Sequence, residues 1–159
     1  LLDIAGEGPA TRHLRRITND LQLNNHVQFV GYLSRREDLP DCYAAGDLFT
    51  FASGTETQGL VLLEAMQAGT PVVSTAVMGT AEIMADHRGG LVADESVSDF
   101  SAKVRTLLDD PARRAELGRQ ATAKAAEWSA PATASRLLQL YEQCIAAKSL
   151  RARQQGGSA

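Results

Sequence analysis

The stretch LFTFASGTETQGLVLLEAMQAGTPVVS, from Leu48 to Ser74, decides the fold. An apolar run at Leu48–Ala52 precedes a polar loop, a helical pattern at Gly59–Ala68 that ends at Gly69, and a second apolar run at Pro71–Ser74. Short apolar runs bounded by turn residues are typical of buried strands. Strands with little polar alternation, joined by a helix, favour a parallel sheet that is covered on both faces.

The same alternation extends in both directions along the chain. Further strands are predicted at Leu1–Ala5, Val27–Val30 and Gly90–Ala93. Shorter helical patterns lie between the strands, around Leu14–Leu21, Asp38–Tyr43 and Ala81–Ala85. The fold class is therefore α/β, a Rossmann-like three-layer parallel sheet.

The sequence after Ala93 has a helical pattern only. Three helices are predicted, over Val97–Leu107, over Pro111–Trp128 and from Ser129 onward. Ser129 and Pro131 resemble an N-cap followed by a first-turn proline. We expect one domain over residues 1–148 and a flexible tail over 149–159, which is polar and contains Gly and Ser.

Composition excludes several classes of protein. The chain has 159 residues, 44% of them hydrophobic, which suits one compact domain with its own core. Its net charge is −3 and no clustered basic face is visible, so no nucleic-acid partner is expected. Cys42 and Cys144 lie among apolar residues, which predicts two buried free thiols in a reducing, cytoplasmic compartment. No apolar run reaches the roughly 18 residues that span a membrane.

The loop after the third strand carries the most chemistry. Ligands of parallel sheets bind at the carboxyl ends of the strands. Gly59 stands where a helix begins, and the unpaired N–H groups and positive dipole of that end suit a phosphate. Glu56 and Glu64 flank this point, and a carboxylate accepts hydrogen bonds from a pair of sugar hydroxyls. A diphosphate between two polyols, which is a nucleotide sugar, would satisfy all three features.

Each glutamate also has a plainer interpretation. Glu56 is explained equally by the preference of acids for a helix N-terminus. Glu64 is explained by an ordinary solvent-facing position on the helix. Both interpretations stay open at this point.

The segment ETQGLVLLEAMQAGTPVV, from Glu56 to Val73, resembles the E-x7-E signature of retaining GT-B glycosyltransferases of the GT4 type. Other segments resemble further blocks of that family in the same order: IAGEGP, VQFVGYLSRREDLPDCYAAGDLFTFAS, MGTAEIM and GGLVAD. The resemblance covers Leu1–Tyr141. It implies the C-terminal, donor-binding domain of a GT-B enzyme, without the first strand and helix of that domain.

The resemblance also implies roles for individual residues. Glu56 would be catalytic, contacting hydroxyls of the donor sugar and placing it for transfer, and Glu64 would accept hydrogen bonds from the ribose. Tyr32 or Leu33 would lie against the nucleobase. The other implied donor contacts are Thr57, Gln58, Gly59 and Leu60 near the sugar and diphosphate, and Gly6 and Gly8 at the floor of the cleft.

For the parent enzyme, the resemblance implies transfer of a hexosyl group from UDP-glucose or a similar donor, with retention of configuration and without a metal or other cofactor. The wording TETQG resembles diacylglycerol glucosyltransferases, which implies a lipid acceptor. The acceptor domain and the Arg and Lys that neutralise the diphosphate would precede Leu1. We therefore expect this chain alone to bind donor weakly and to be inactive.

Two other hypotheses come from different classes. The chain could be a non-catalytic Rossmann-like binding module with a vestigial site, although GEGP at Gly6–Pro9 falls short of the dinucleotide fingerprint. RHLRRI at Arg12–Ile17 could give the parent a peripheral membrane contact, but a solvated helix face explains it better.

Overall fold

The computed structural model describes the backbone of residues 1–156 and the side chains of residues 1–148. The elements are β1 (Leu2–Ala5), α1 (Thr11–Asp20), β2 (Val27–Gly31), α2 (Asp38–Ala45), β3 (Phe49–Phe51), α3 (Leu60–Gln67), β4 (Val72–Ser74), α4 (Gly79–Met84), β5 (Gly90–Val92), α5 (Val97–Asp109), α6 (Pro111–Glu127) and α7 (Ala130–Gly156). Strands and helices alternate as far as β5 and helices follow. This order confirms the α/β class and the helical C-terminal segment.

The chain divides into two compact units, Leu1–Ala45 and Gly46–Ala159. In the first unit β1 pairs with β2, and in the second β4 lies between β3 and β5, with every pairing parallel. The sequence predicts one sheet, whereas the described strands form a two-stranded and a three-stranded sheet.

Strand β4 is the central strand of the second unit's sheet. Val72 and Val73 are both fully buried, and neighbouring residues of a strand point to opposite faces of the sheet. Both faces of β4 are therefore covered, as the uninterrupted apolar run predicts. Val73 packs in a cluster with Leu107 of α5 and Leu117 of α6. Burying each of these side chains contributes about 2 kcal/mol.

Local hydrogen bonds explain where the C-terminal helices begin. The Ser96 hydroxyl accepts the N–H of Asp99 at the start of α5, and the Asp110 carboxylate accepts the N–H of Arg113 at the start of α6. Each side chain satisfies one N–H that has no partner within its helix. The Ser129 hydroxyl accepts the N–H of Ala132, which confirms the predicted N-cap of α7.

An ion-pair network joins the segment after α4 to α6. The Lys124 ammonium is buried and donates to Asp86 at 2.7 Å, while Arg88 bonds both oxygens of Glu127 at 2.7 and 2.8 Å. Burial alone would raise the pKa of Asp86, but hydrogen bonds from Lys124 and Arg88 outweigh burial and hold that pKa well below its usual range. The network holds these two segments together.

The expectation of two buried thiols is wrong. Cys42 is half-buried and Cys144 is exposed. Cys144 lies on α7, whose apolar side chains Leu138, Tyr141 and Ile145 are each more than half exposed. An apolar pattern at helical spacing gives a helix an apolar face, but it does not supply the surface that covers that face.

The predicted tail, 149–159, begins inside α7, whose backbone continues to Gly156. The tail's side chains and residues 157–159 lie outside the described part of the chain. Across the described residues, no helix combines the length and apolar character needed to cross a membrane.

Candidate functional site

The loop between β3 and α3 is organised by Glu56. Its carboxylate oxygen Oε1 accepts the N–H groups of Gln58 and Gly59, each at 2.9 Å. Gly59 has φ 71°, a left-handed conformation that glycine adopts without strain, and it lets the chain enter α3. The amides of Gln58 and Gly59 lower the pKa of Glu56, because they stabilise its charged form. Glu56 is thus fixed as an anion at the start of the helix.

This arrangement changes what the N-terminus of α3 offers to a ligand. The sequence predicts backbone N–H groups around Gly59 that face a diphosphate, yet Glu56 already takes those of Gln58 and Gly59. Among the described residues, no acceptor is seen for the N–H groups of Leu60 and Val61. These two N–H groups are polar groups that this helix start can present to a ligand.

A second loop, Thr75–Gly79 after β4, lies directly against the first. The N–H of Gly79 donates to the main-chain oxygen of Glu56 at 3.0 Å. A Cβ at Gly79 would lie 2.2 Å from the Thr57 oxygen, a distance that no real Cβ shows. Only glycine allows the backbones of the two loops to approach so closely.

The second loop carries backbone strain. Ala76 and Met78 have φ of 51° and 54°, in the region that L-residues avoid. Met78 combines this φ with ψ −125°, and its side chain is 57% exposed. Such conformations persist only where surrounding structure enforces them, and they are frequent at ligand sites. The Thr75 hydroxyl of the same loop is buried, and no hydrogen-bond partner for it is found among the described residues.

Glu64 lies on α3, two turns after Glu56. It shares a helix face with Leu60 and Gln67, which stand four residues before and three residues after it. This face lines a groove of about 500 Å³, whose opposite wall is formed by the end of α6 and includes Trp128. Glu64 therefore faces a concave surface. An ordinary solvent-facing position on a helix would not require such a surface.

The remaining predicted site residues lie in the first unit, at the carboxyl ends of β1 and β2. Gly6 has φ 96° and donates its N–H to the Gly31 oxygen at 2.7 Å. The N–H of Gly8 donates to the Thr11 hydroxyl at 3.0 Å. The Tyr32 ring is 78% exposed, and its hydroxyl donates to the Glu7 oxygen at 3.4 Å.

The predicted residues thus form two groups. Gly6, Gly8, Tyr32 and the half-buried Leu33 belong to the first unit. Those from Glu56 to Glu64 belong to the second. The sequence did not single out Gly79 or Met78, although MGTAEIM lies within the blocks that carry the resemblance. A glycine after β4 was the available signal, but the neighbour it touches is visible only in the fold.

Within the side chains that the structure describes, no three His, Cys, Asp or Glu residues lie close enough together to hold an ion. The expectation of a reaction without metal remains a prediction.

Residues 1–124 match the protein family described as Glycosyl transferases group 1. The chain belongs to this family. A D-inositol 3-phosphate glycosyltransferase of Catenulispora acidiphila is 38% identical over 134 residues, which are 84% of this chain and 31% of that protein. A second D-inositol 3-phosphate glycosyltransferase, from Kineococcus radiotolerans, is 35% identical and covers 87% of this chain and 34% of its own. The chain thus spans about a third of the length of these relatives.

Solved glycosyltransferases share the fold. Sucrose-phosphate synthase from Thermosynechococcus elongatus superposes with TM-score 0.74 and 27% identity over 92% of this chain and 39% of its own. Anabaena HepE, solved with UDP-glucose, superposes with TM-score 0.70 and 28% identity over 79% of this chain and 35% of its own. Together with the family match, these similarities confirm a glycosyltransferase domain and the predicted GT-B fold class.

Proposed function

We propose that this group 1 chain is the donor-binding domain of a retaining glycosyltransferase, which transfers a hexosyl group from UDP-glucose or a similar nucleotide sugar. One observation carries the proposal: Glu56 is held as an anion at the carboxyl end of β3 by the N–H groups of Gln58 and Gly59. The UDP-glucose found in the structure of HepE supports the choice of donor.

In this proposal the two carboxylates divide the ligand between them. The N–H groups of Gln58 and Gly59 both bind Oε1, and in this proposal Oε2 accepts a hydroxyl of the donor sugar. Because Glu56 is already fixed, little conformational entropy is lost when the sugar binds. Glu64, on the groove side of α3, accepts the ribose hydroxyls. A carboxylate with two acceptor oxygens suits a vicinal diol.

The start of α3 then acts on the leaving group. As the bond from the sugar to the diphosphate breaks, negative charge grows on the diphosphate oxygens. The N–H groups of Leu60 and Val61 and the helix dipole stabilise that charge. The fixed Glu56 carboxylate offsets part of this field, so a basic group elsewhere in the parent enzyme is required. We propose that no metal takes part.

The acceptor belongs to the part of the parent enzyme outside this chain, and we propose that this chain alone is inactive. The resemblance of TETQG favours a lipid acceptor. The D-inositol 3-phosphate glycosyltransferases among the relatives favour a small polar acceptor instead. Assaying the parent with each acceptor class decides between them.

Titration of the labelled chain with UDP, GDP, ADP and their glucose or mannose conjugates, followed by NMR, tests the donor. We expect a uridine ligand at millimolar concentration to shift the resonances of Thr57–Glu64, and of Tyr32 if its implied role is correct. A folded chain that responds to none of these ligands, even when extended upstream, would favour the alternative of a non-catalytic module with a vestigial site.

A further inference from the structure

The loop before α3 and the start of α4 contact each other through their backbones. The N–H of Gly79 donates to the main-chain oxygen of Glu56, and Gly79 has no room for a Cβ beside the backbone of Thr57 and Gln58. A Cβ there would lie 2.2 Å from the Thr57 oxygen and 2.6 Å from the Gln58 nitrogen. Both neighbours are main-chain atoms, so neither can move aside as a side chain does.

The contact is reciprocal, because the first loop also presents a glycine to the second. A Cβ at Gly59 would lie 2.6 Å from Ile83 Cδ1 and 3.3 Å from the Gly79 oxygen. Each glycine therefore packs against the segment that contains the other. The strained backbone of Met78, directly before Gly79, indicates that this packing outweighs the preference of the chain for an ordinary conformation.

A chain of contacts connects Gly79 to the Glu56 carboxylate. Gly79 holds the main chain of Glu56 and confines Thr57 and Gln58. The N–H groups of Gln58 and Gly59 in turn hold the Glu56 side chain. Moving the backbone at 57–58 would therefore move the donors that orient this carboxylate.

We propose that Gly79 is a positioning residue for transfer, which acts through the backbone of residues 56–59 to orient the Glu56 carboxylate toward the donor sugar. The inference rests on the proposed function for its use of Glu56, but the geometry that it asserts exists without ligand. In this proposal Gly79 acts through Glu56 and not on the substrate itself. A catalytic carboxylate must be placed to within a few tenths of an ångström, so it needs a support that cannot shift. Gly79 contributes to that support.

The test compares Gly79→Ala with two control variants in the ligand-free chain. Gly118→Ala also introduces an overlap with backbone, 2.5 Å from the Gly69 oxygen, but between other segments. Gly54→Ala lies in the loop before α3 and meets nothing within 4 Å. The carboxyl carbon of Glu56 is followed by NMR as pH changes, together with the amide protons of Gln58 and Gly59.

In the wild type we expect the Glu56 pKa to be depressed and the two amide protons to follow its titration. Gly79→Ala should raise that pKa toward its usual range and remove the response of the amides. Gly118→Ala and Gly54→Ala should leave both signals unchanged. A folded Gly79→Ala chain that keeps the wild-type titration overturns the proposal, as does an equal change in Gly118→Ala.

A second variant decides the matter if Gly79→Ala does not fold. Glu56→Ala removes the carboxylate that accepts the N–H groups of Gln58 and Gly59. Hydrogen exchange is then measured at the Gly79 amide. We expect about tenfold faster exchange there, because a charge-assisted hydrogen bond is lost from a coupled unit. Unchanged protection at Gly79 contradicts the coupling. Neither readout requires donor binding, so failure of the donor assignment remains distinguishable from failure of this inference.

Discussion

A methyl group added at Gly6 or Gly8 would meet no atom within 4 Å, whereas one added at Gly79 would lie 2.2 Å from the Thr57 oxygen. Both regions follow parallel strands and both contain predicted donor contacts. In Leu1–Ala45 the loops present open glycines and an exposed Tyr32. In Gly46–Ala159 two loops confine each other. The comparison teaches that similar glycine-containing loops have different constraints, and that the confined pair is the one that fixes a carboxylate.

The largest expected effect is the loss of stability when the close contact between the two confined loops is disrupted. Gly79→Ala should lower the free energy of unfolding by about 3 kcal/mol, because the overlap is with backbone that cannot yield. Gly8→Ala should change it by no more than about 0.5 kcal/mol, since the position is open. Urea unfolding of both variants measures the difference. Equal costs would mean that the confinement does not contribute to stability.

Gly59 and Gly6 sharpen the same contrast, because both have positive φ, 71° and 96°. Alanine at either position incurs the strain of the left-handed region, about 1–2 kcal/mol. Gly59→Ala also overlaps Ile83, so we expect an additional cost of about 1 kcal/mol relative to Gly6→Ala. Thermal unfolding of the two variants compares them. A larger loss for Gly6→Ala would contradict the assignment of open and confined loops.

The ion-pair network makes the free energy of unfolding of the second unit depend on pH. The pKa of Asp86 is depressed in the folded chain. The stabilisation that Asp86 contributes is therefore fully present above its unfolded pKa of about 4, and it is lost progressively as pH falls from there toward the folded pKa. Asp86→Asn should cost about 1–2 kcal/mol at neutral pH, since the partly exposed pair is screened while Lys124 remains buried.

Unfolding measured from pH 7 to pH 3 checks this account. Asp86→Asn should flatten the acid limb of the stability curve. An acid limb identical to that of the wild type would show that other carboxylates produce it.

The smallest expected effect concerns Met78. Met78→Gly should be more stable than Met78→Ala by about 1 kcal/mol, because only glycine relieves the strain of φ 54° and ψ −125°. Both variants lose the same exposed side chain, so their difference isolates the backbone. Differential scanning calorimetry measures it. A more stable alanine variant would mean that the loop is unstrained in solution.

The order of strands and helices could be predicted from the sequence, because periodicity and turn residues are local. The apolar run at Pro71–Ser74 predicted a strand buried on both faces, and β4 is one. Ser129 was identified as an N-cap from its spacing alone. Glu56 precedes the first turn of α3, which contains no acid, and its carboxylate instead accepts the N–H groups of Gln58 and Gly59.

The contact between Gly79 and Thr57 was not predictable from the sequence alone. It joins two loops separated by a helix and a strand, and no local pattern encodes how closely two backbones approach. The exposure of Cys144 was missed for a related reason, since burial depends on a partner surface that the apolar pattern of α7 does not specify. Local signals thus predicted the elements and the two glutamates, while tertiary contacts determined how the site is built.

Affinity for UDP and for UDP-glucose, measured by NMR titration of the wild-type chain, Glu56→Gln and Glu64→Ala, tests the central claim most directly. Glu64→Ala should weaken both ligands by about tenfold or more, because both carry the ribose. Glu56→Gln should weaken UDP-glucose but not UDP, because only the former carries the sugar. If both variants bind both ligands as the wild type does, these carboxylates do not hold a nucleotide sugar and the proposed function is wrong.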